Sequence, residues 1–291
     1  HQEHWFARVG LDWIREQTES GGDWFLWYCA NSPHSPYMPK PRNASLWSGV
    51  RQPIPASASD VDASMPSWVR ARPAPTPADV SSMRQLARNR ARECRDLDDW
   101  IGMLVAWLDA TGHADDTHIM VWSDNGNAVM DHRASFNGKN MPYDWSQRTP
   151  LTVVGPGWPA GQVIDVPTSC PDVTATTAAI LDATATTPQD GIDLRDVADD
   201  PAAYTDRATL GGLGDAFSAV PGRPPCDQIV TATHKLTRYQ EPSGGWVDSS
   251  TDPYELFDLA ADPLELTNLA QTEPALRDEL DGRLDELLAG D

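Results

Sequence analysis

Three short, nearly unbroken apolar runs constrain this chain most: WFLWYC (24–29), IMVW (119–122) and LTVVG (151–155). Each is short for a helix and ends in a polar or proline-flanked loop, so each reads as a strand covered on both faces. Between the first two lies the clearest helix signal, from Pro77 to Thr111. Thr76 is its N-cap, Pro77 occupies the first position and Asp79 the first turn. Val80, Met83, Leu86, Ala87, Ala91, Cys94, Leu97, Ile101, Leu104, Val105 and Leu108 form one stripe, and Gly112 ends the helix. DVTATTAAILDA (172–183) is a further helix candidate. Strand, helix, strand, strand, helix predicts an α/β fold: a sheet flanked by helices.

After about residue 220 the pattern changes. PPCDQIVTATHKLTRYQEPSGG and WVDSSTDPYELFDL alternate and carry turn signals, which predicts a small antiparallel meander. TEPALRDELDGRLDELLAG closes the chain as a helix with Leu276, Leu280, Leu284 and Leu287 inward. Two domains are expected, 1–220 and 221–291. At the other end, HQEHWFARVGLDWIREQ reads as an amphipathic helix with Trp5, Phe6, Val9, Trp13 and Ile14 on one face. The chain opens inside this pattern and without Met, so an N-terminal part is expected to be missing and the lack of a signal peptide is uninformative. No run approaches a membrane span. Residues 35–78, rich in Pro and Ser, form a long irregular excursion that suits a functional surface loop. Asn43-Ala-Ser45 within it matches a glycosylation sequon, a match common by chance.

The 291 residues, 40% of them hydrophobic, suffice for one large α/β domain with an appendage. With 22 basic against 43 acidic residues, net −21, nothing neutralises phosphates, which argues against nucleic acid and anionic membrane. Only three lysines occur, Lys40, Lys139 and Lys235. Cys29, Cys94, Cys170 and Cys226 form no C-x-x-C pair, so a zinc site is not expected; two disulfides and buried thiols both remain open.

Chemistry concentrates where the strands end. Asp124 and Asn125, then Gly126, follow IMVW, and the carboxyl ends of strands in an open α/β sheet are where ligands bind. An acid beside an amide carbonyl on a tight turn supplies hard oxygens, suited to Ca²⁺ or Mg²⁺ rather than zinc. The same S-D-N-G run is also simply rich in turn formers. Lys139, in NGKNMPY, can reach an anionic oxygen, although a lysine is more often merely solvated. His34, in ANSPHSP, can donate to an anion or protonate a leaving group, or it is an ordinary loop histidine. His132 and Arg133 could line the same pocket; His113 and His118 read as structural.

Taken in order, NSPHSP, RECRDLDDWIGMLVAWLDATGHADDT, SDNG, DHRASFNGKNMPYDWSQRTPLTVVGPG and YELFDLAADPLELTNLA resemble the sulfatase family of the alkaline phosphatase superfamily, over nearly the whole chain. The resemblance implies an alkaline phosphatase-like mixed sheet flanked by helices, here partial, with a small C-terminal antiparallel sheet and helix. It implies Asp124 and Asn125 as ligands of a divalent cation, usually Ca²⁺ with Mg²⁺ possible. It implies Lys139 and His34 as contacts to the sulfate group, and His132 as a pocket-edge candidate. A YE-x-x-x-R-x-P pattern common after the lysine is met by Tyr143-Asp144-Trp145-Ser146-Gln147-Arg148-Thr149-Pro150, with Asp in place of Glu.

One departure matters. Sulfatases use a formylglycine made from C/S-x-P-x-R, and no Cys or Ser here stands in that motif. In the family the motif lies upstream of PH-x-P, with further metal ligands and a further Lys and His. The expectation is an N-terminally truncated sulfatase, inactive and a weak Ca²⁺ binder by itself and poorly soluble alone. Its complete form would hydrolyse a sulfate monoester, of a sulfated carbohydrate or an aryl alcohol. The alternatives are a phosphonate or phosphate ester hydrolase, or a non-catalytic glycan-binding module on the same scaffold.

Overall fold

The computed structural model describes residues 2–134, 138–214, 225–240 and 253–290. In chain order the helices are α1 (Gln2–Glu19), α2 (Ala56–Ser59), α3 (Ser67–Arg70), α4 (Pro77–Thr111), α5 (Asp144–Gln147), α6 (Cys170–Ile180), α7 (Leu194–Asp199) and α8 (Pro274–Ala289). The strands are β1 (Ile119–Trp122), β2 (Leu151–Val154), β3 (Thr209–Leu213), β4 (Cys226–Val230), β5 (His234–Tyr239) and β6 (Tyr254–Asp258). Two compact units emerge, one of residues 1–54 and 76–118, the other of 55–75 and 119–291.

In the first unit α4 starts and stops where its sequence predicts. Thr76 and Asp79 form a reciprocal capping box, Asp79 N to Thr76 Oγ1 at 3.2 Å and Thr76 N to Asp79 Oδ2 at 2.8 Å. Gly112 closes the helix in the left-handed conformation, φ 78°. Its buried apolar residues are Met83, Trp100, Leu104 and Leu108, whereas Cys94 and Val105 of the expected stripe are exposed. Between them Arg92, Glu93 and Asp96 are buried and hold the chain that precedes the helix. Glu93 accepts from Met38 N at 2.5 Å, and Asp96 from Lys40 N at 2.8 Å and Asn43 Nδ2 at 2.6 Å. Arg92 donates to Leu46 O at 2.9 Å and Ser48 Oγ at 3.1 Å. The first part of the expected surface loop is thus strapped to α4. Asn43, buried with its amide nitrogen engaged, is not presented as a glycan acceptor.

Helix α1 packs through two small residues and one large one. Ala7, Gly10 and Ile14 are buried, and Trp100 Nε1 donates to Ala7 O at 3.0 Å. The aromatic face predicted to point inward is exposed instead, Trp5 at 60%, with Phe6, Val9 and Trp13 beside it. The stretch 24–30 is not a strand. It shows a strand's alternation, with Phe25, Trp27 and Cys29 outward, but no ladder forms to it among the described residues. A strand needs a neighbour as well as an apolar run.

In the second unit β1 and β2 pair antiparallel, Ile119 opposite Val154 and Trp122 opposite Leu151. The second sheet runs β3-β4-β5-β6, antiparallel throughout, so the expected meander is present and takes its first strand from residues before 221. The stretch 246–252, read as part of that meander, lies outside the described residues. One face of this sheet presents Ile229, Leu236 and Leu256 to Leu280 and Leu284 of α8, with Leu276 and Leu287 at the margin. The other face carries Cys226, Tyr239 and Phe257 against Met65, Trp68, Val69, Met141 and Tyr143. All four cysteines are free thiols, and only Cys226 is buried.

Candidate functional site

The turn after β1 is short and internally braced. Ser123 Oγ donates to Asn125 O at 3.0 Å, and Asn125 Nδ2 to Gly126 O at 2.7 Å. The amide nitrogen is thereby used, leaving Asn125 Oδ1 to accept. Asp124 is exposed, and its carboxylate makes no hydrogen bond or ion pair to the described residues. Asn127 Oδ1, just beyond, is buried with no hydrogen-bond partner among the described residues.

The segment bearing Lys139 is stitched to this turn. Ala128 N donates to Gly138 O and Gly126 N to Ser146 O, both at 2.7 Å. A Cβ at Gly126 would fall on the Trp145 carbonyl, so only glycine permits this approach. Asn140, next to Lys139, sits at φ 66°, a left-handed position that Asn tolerates. Lys40 pairs with Asp99 at 3.8 Å and Lys235 with Asp144 at 2.9 Å. Half-buried Lys139 has no acidic partner among the described residues, despite 43 acids in the chain. Asp124, Asn125 and Lys139 are therefore brought onto one braced scaffold.

His34 belongs to the first unit, in an exposed loop. Its Nδ1 lies 2.8 Å from Ser35 O, which can only accept. Nδ1 therefore carries the proton, and Nε2 is the position left for a ligand.

His132, the pocket-edge candidate, is enclosed by protein. It is buried, stacked on Tyr143 at 3.7 Å, with both ring nitrogens engaged. Trp145 Nε1 donates to its Nδ1 and its Nε2 donates to Glu265 O, both at 2.9 Å. Burial pulls its pKa down to about 4, against a weaker opposing effect of the bond to Glu265 O. Met130, His132 and Arg133 all have positive φ, 76°, 49° and 54°. Ser57 Oγ accepts from His132 N at 3.0 Å, and Arg133 donates to Arg72 O at 2.9 Å and Ser59 O at 2.8 Å, holding the strained run in place.

Sequence reasoning missed what lies beneath. On the inner face of the C-terminal sheet Gln228, Lys235, Thr237 and Glu255 are buried, with Glu265 close by. Lys235 pairs with Asp144 and Glu265, and Asp144 N donates to Glu265 Oε2 at 2.7 Å. Burial lowers the Lys235 pKa, but the two carboxylates more than offset it, so the ammonium persists above the usual lysine range. Glu255 accepts from Tyr143 Oη at 2.9 Å and from Tyr239 Oη. Burial pushes its pKa up to about 7 even so. A lysine inside the strand HKLTRY was the one visible hint.

For a cation, Asp124 and Asn125 offer two hard oxygens, whereas Ca²⁺ takes about 6–8. Among the described residues no three His, Cys, Asp or Glu side chains converge to hold a metal. The pair fits part of a coordination sphere.

Solved structures give the class of fold. BT4656 in complex with its substrate D-glucosamine-2-N,6-O-disulfate aligns with TM-score 0.80 over 98% of this chain and 69% of that one, at 18% identity. A phosphonate monoester hydrolase of Agrobacterium radiobacter aligns with TM-score 0.73 over 100% and 61%, at 21% identity. The fold is the mixed α/β fold of the alkaline phosphatase-like hydrolases, as the resemblance implied. The sulfatase family model matches residues 4–183, and the chain belongs to the sulfatase family. A choline-sulfatase of Rhizobium meliloti (strain 1021) is 30% identical over 264 residues, 87% of this chain and 47% of that protein. The chain spans about half the length of the curated relatives it matches.

Proposed function

We propose that the protein to which these residues belong hydrolyses a sulfate monoester, and that this chain supplies part of the machinery. The single observation behind this reading is the joining of the Asp124–Asn125 turn to the Lys139 segment, with Lys139 lacking a carboxylate partner among the described residues. Family membership and the choline-sulfatase relative support sulfate as the anion.

In this reading Asp124 and Asn125 hold a divalent cation, Ca²⁺ first and Mg²⁺ second, through one carboxylate and one amide oxygen. A bound divalent cation would offset negative charge on the sulfate oxygens and on the developing transition state. Lys139 donates to a sulfate oxygen as a point charge. His34, with Nδ1 committed to Ser35 O, uses Nε2 toward the ester, donating when that nitrogen is protonated. His132, with both nitrogens engaged, takes no part in substrate contact. No Cys or Ser of the 291 residues stands in C/S-x-P-x-R, so formylglycine does not fit this chain's own residues and no step is derived through it. The nucleophile is assigned to a part of the protein outside these residues, and the chain alone is expected to turn over nothing. The substrate is read as a sulfated carbohydrate or an aryl sulfate. At net −21 a small ester suits these residues better than a polyanion.

The test is hydrolysis of matched aryl sulfates, phosphates and phosphonates by the intact protein, with Lys139→Ala beside it. Sulfate turnover that falls about 10²-fold or more in the variant is expected. The phosphonate hydrolase among the structural neighbours makes preference for phosphonate the outcome that replaces this reading. Sulfated-glycan binding without turnover would leave a non-catalytic module instead.

A further inference from the structure

The C-terminal sheet spends half of itself on something other than a hydrophobic core. Toward α8 it is apolar, through Ile229, Leu236 and Leu256. On its other face Gln228, Lys235, Thr237 and Glu255 are each fully buried beside Tyr239 and Phe257. Buried polar groups of this kind are costly unless paired, and an apolar face would hold two layers together as well. Their partners are therefore informative.

Besides one another, Tyr239 and Glu265, their partners lie in one stretch, Pro142–Asp144, just after Lys139. Gln228 Nε2 donates to Pro142 O at 2.8 Å and to Thr237 Oγ1 at 2.7 Å. Tyr143 Oη donates to Glu255 at 2.9 Å. Lys235 Nζ meets Asp144 Oδ1 at 2.9 Å and also Glu265, while Glu265 Oε2 accepts from Asp144 N at 2.7 Å. Asp144 thus has both its backbone and its side chain held. It opens α5, whose Ser146 carbonyl takes the Gly126 amide, and the Gly138 carbonyl takes the Ala128 amide. A continuous set of bonds runs from the C-terminal sheet through Asp144 and α5 to the turn bearing Asp124 and Asn125.

We propose that buried Lys235 and Glu265, with half-buried Asp144, form a clamp through which the C-terminal sheet positions the Lys139 segment and the Asp124–Asn125 turn. Its functional consequence rests on the reading of Lys139 as an anion contact; the clamp itself does not. These three are positioning residues and touch no substrate.

The experiment is amide hydrogen exchange on the intact protein, wild type and Asp144→Asn, with site-resolved acetylation of Lys139 in the presence and absence of inorganic sulfate. The variant keeps Lys235 paired to Glu265. The expected result is about a tenfold or greater rise in exchange at the Gly126 and Ala128 amides, with β1 and β4–β6 unchanged. Asp144→Glu should bring the rise back to within about threefold. Unchanged exchange at Gly126 and Ala128 overturns the clamp. So does a rise spread equally over β4–β6, which is plain loss of stability. If Asp144→Asn does not fold, Glu265→Gln carries the same measurement. Sulfate should protect Lys139 in the wild type, at a concentration that rises about tenfold in the variant. Absence of protection in the wild type counts against the anion role of Lys139, and leaves the exchange result to decide the clamp.

Discussion

His132 and Glu255 lie in one buried network but respond to pH in opposite senses. His132 titrates near 4 in the fold against an ordinary 6.5, so between those values the unfolded chain binds a proton that the fold refuses. Its contribution, on the order of 3 kcal/mol, is full above pH 6.5 and is lost as pH falls toward 4. Glu255 titrates near 7 against 4.5, so between those values the fold holds a proton that the unfolded chain releases. Its contribution is full below pH 4.5 and is lost as pH rises toward 7. From pH 4.5 to 6.5 the two slopes oppose, each about 1.4 kcal/mol per pH unit, and cancel. Glu255→Gln should therefore expose a protein that weakens on acidification across that window, and His132→Phe one that strengthens. Urea unfolding at stepped pH reads both slopes, and variants that track the wild type would refute the assignment. A second residue-scale prediction concerns Gly126. The Trp145 carbonyl occupies the space a methyl would need, so Gly126→Ala should destabilise by about 1–3 kcal/mol and displace the turn.

At the scale of elements, local signals were legible and non-local ones were not. Helix α4 was readable to the residue because a capping box and a left-handed glycine act within a few positions. Thr76→Ala should cost about 1 kcal/mol in thermal or chemical unfolding. Helix α8 was equally plain, its leucines meeting Ile229, Leu236 and Leu256. Leu284→Ala there should cost about 2–5 kcal/mol, since the side chain is fully buried. The run 24–30 misled because an apolar alternation states only that a segment can be a strand, and pairing depends on a neighbour the run does not encode. The aromatic face of α1 misled for a related reason: Ile14 of that face is buried, but Ala7 and Gly10 turn inward beside it, Ala7 O meeting Trp100 of α4 and Gly10 facing Leu26, and these contacts are not encoded in the helix's own periodicity. The site divided the same way. Asp124 and Asn125 stand out as polar residues just after a strand and Lys139 as a rare lysine in a glycine-flanked loop, which is why they are candidates, whereas the pairing of Lys235 depends on Asp144 and Glu265, far away in sequence. His132 resembled a pocket residue from its spacing, and nothing in the spacing reveals that Trp145 and Glu265 occupy both its nitrogens.

At the scale of the whole molecule, a net charge of −21 makes cation effects easy to see and easy to misread. Any added cation screens repulsion among 43 acidic residues and favours the compact state, so a rise in melting temperature with CaCl₂ is not by itself a sign of a site. Screening depends on ionic strength and acts everywhere; coordination depends on ion identity and, on the proposed reading, would act through Asp124 and Asn125. The two separate when Ca²⁺ is titrated at constant ionic strength, with Na⁺ withdrawn to compensate. In the intact protein the wild type should then gain about 2.7 kcal/mol once free Ca²⁺ reaches about one hundred times its dissociation constant. Asp124→Ala should abolish that gain and Asn125→Ala should shift it to higher Ca²⁺. Asp124→Ala should keep the general salt response at unchanged baseline stability, because its carboxylate is exposed and makes no bond to the described residues; Asn125→Ala should keep that response from a lower baseline, since it gives up the bond to Gly126 O. Mg²⁺ should substitute only partly, since two oxygens on a braced turn suit a flexible, larger coordination sphere better than a strict octahedron. An equal gain in the wild type and Asp124→Ala would reduce the effect to screening and remove Asp124 from the cation site, while leaving the Lys139 acetylation test untouched.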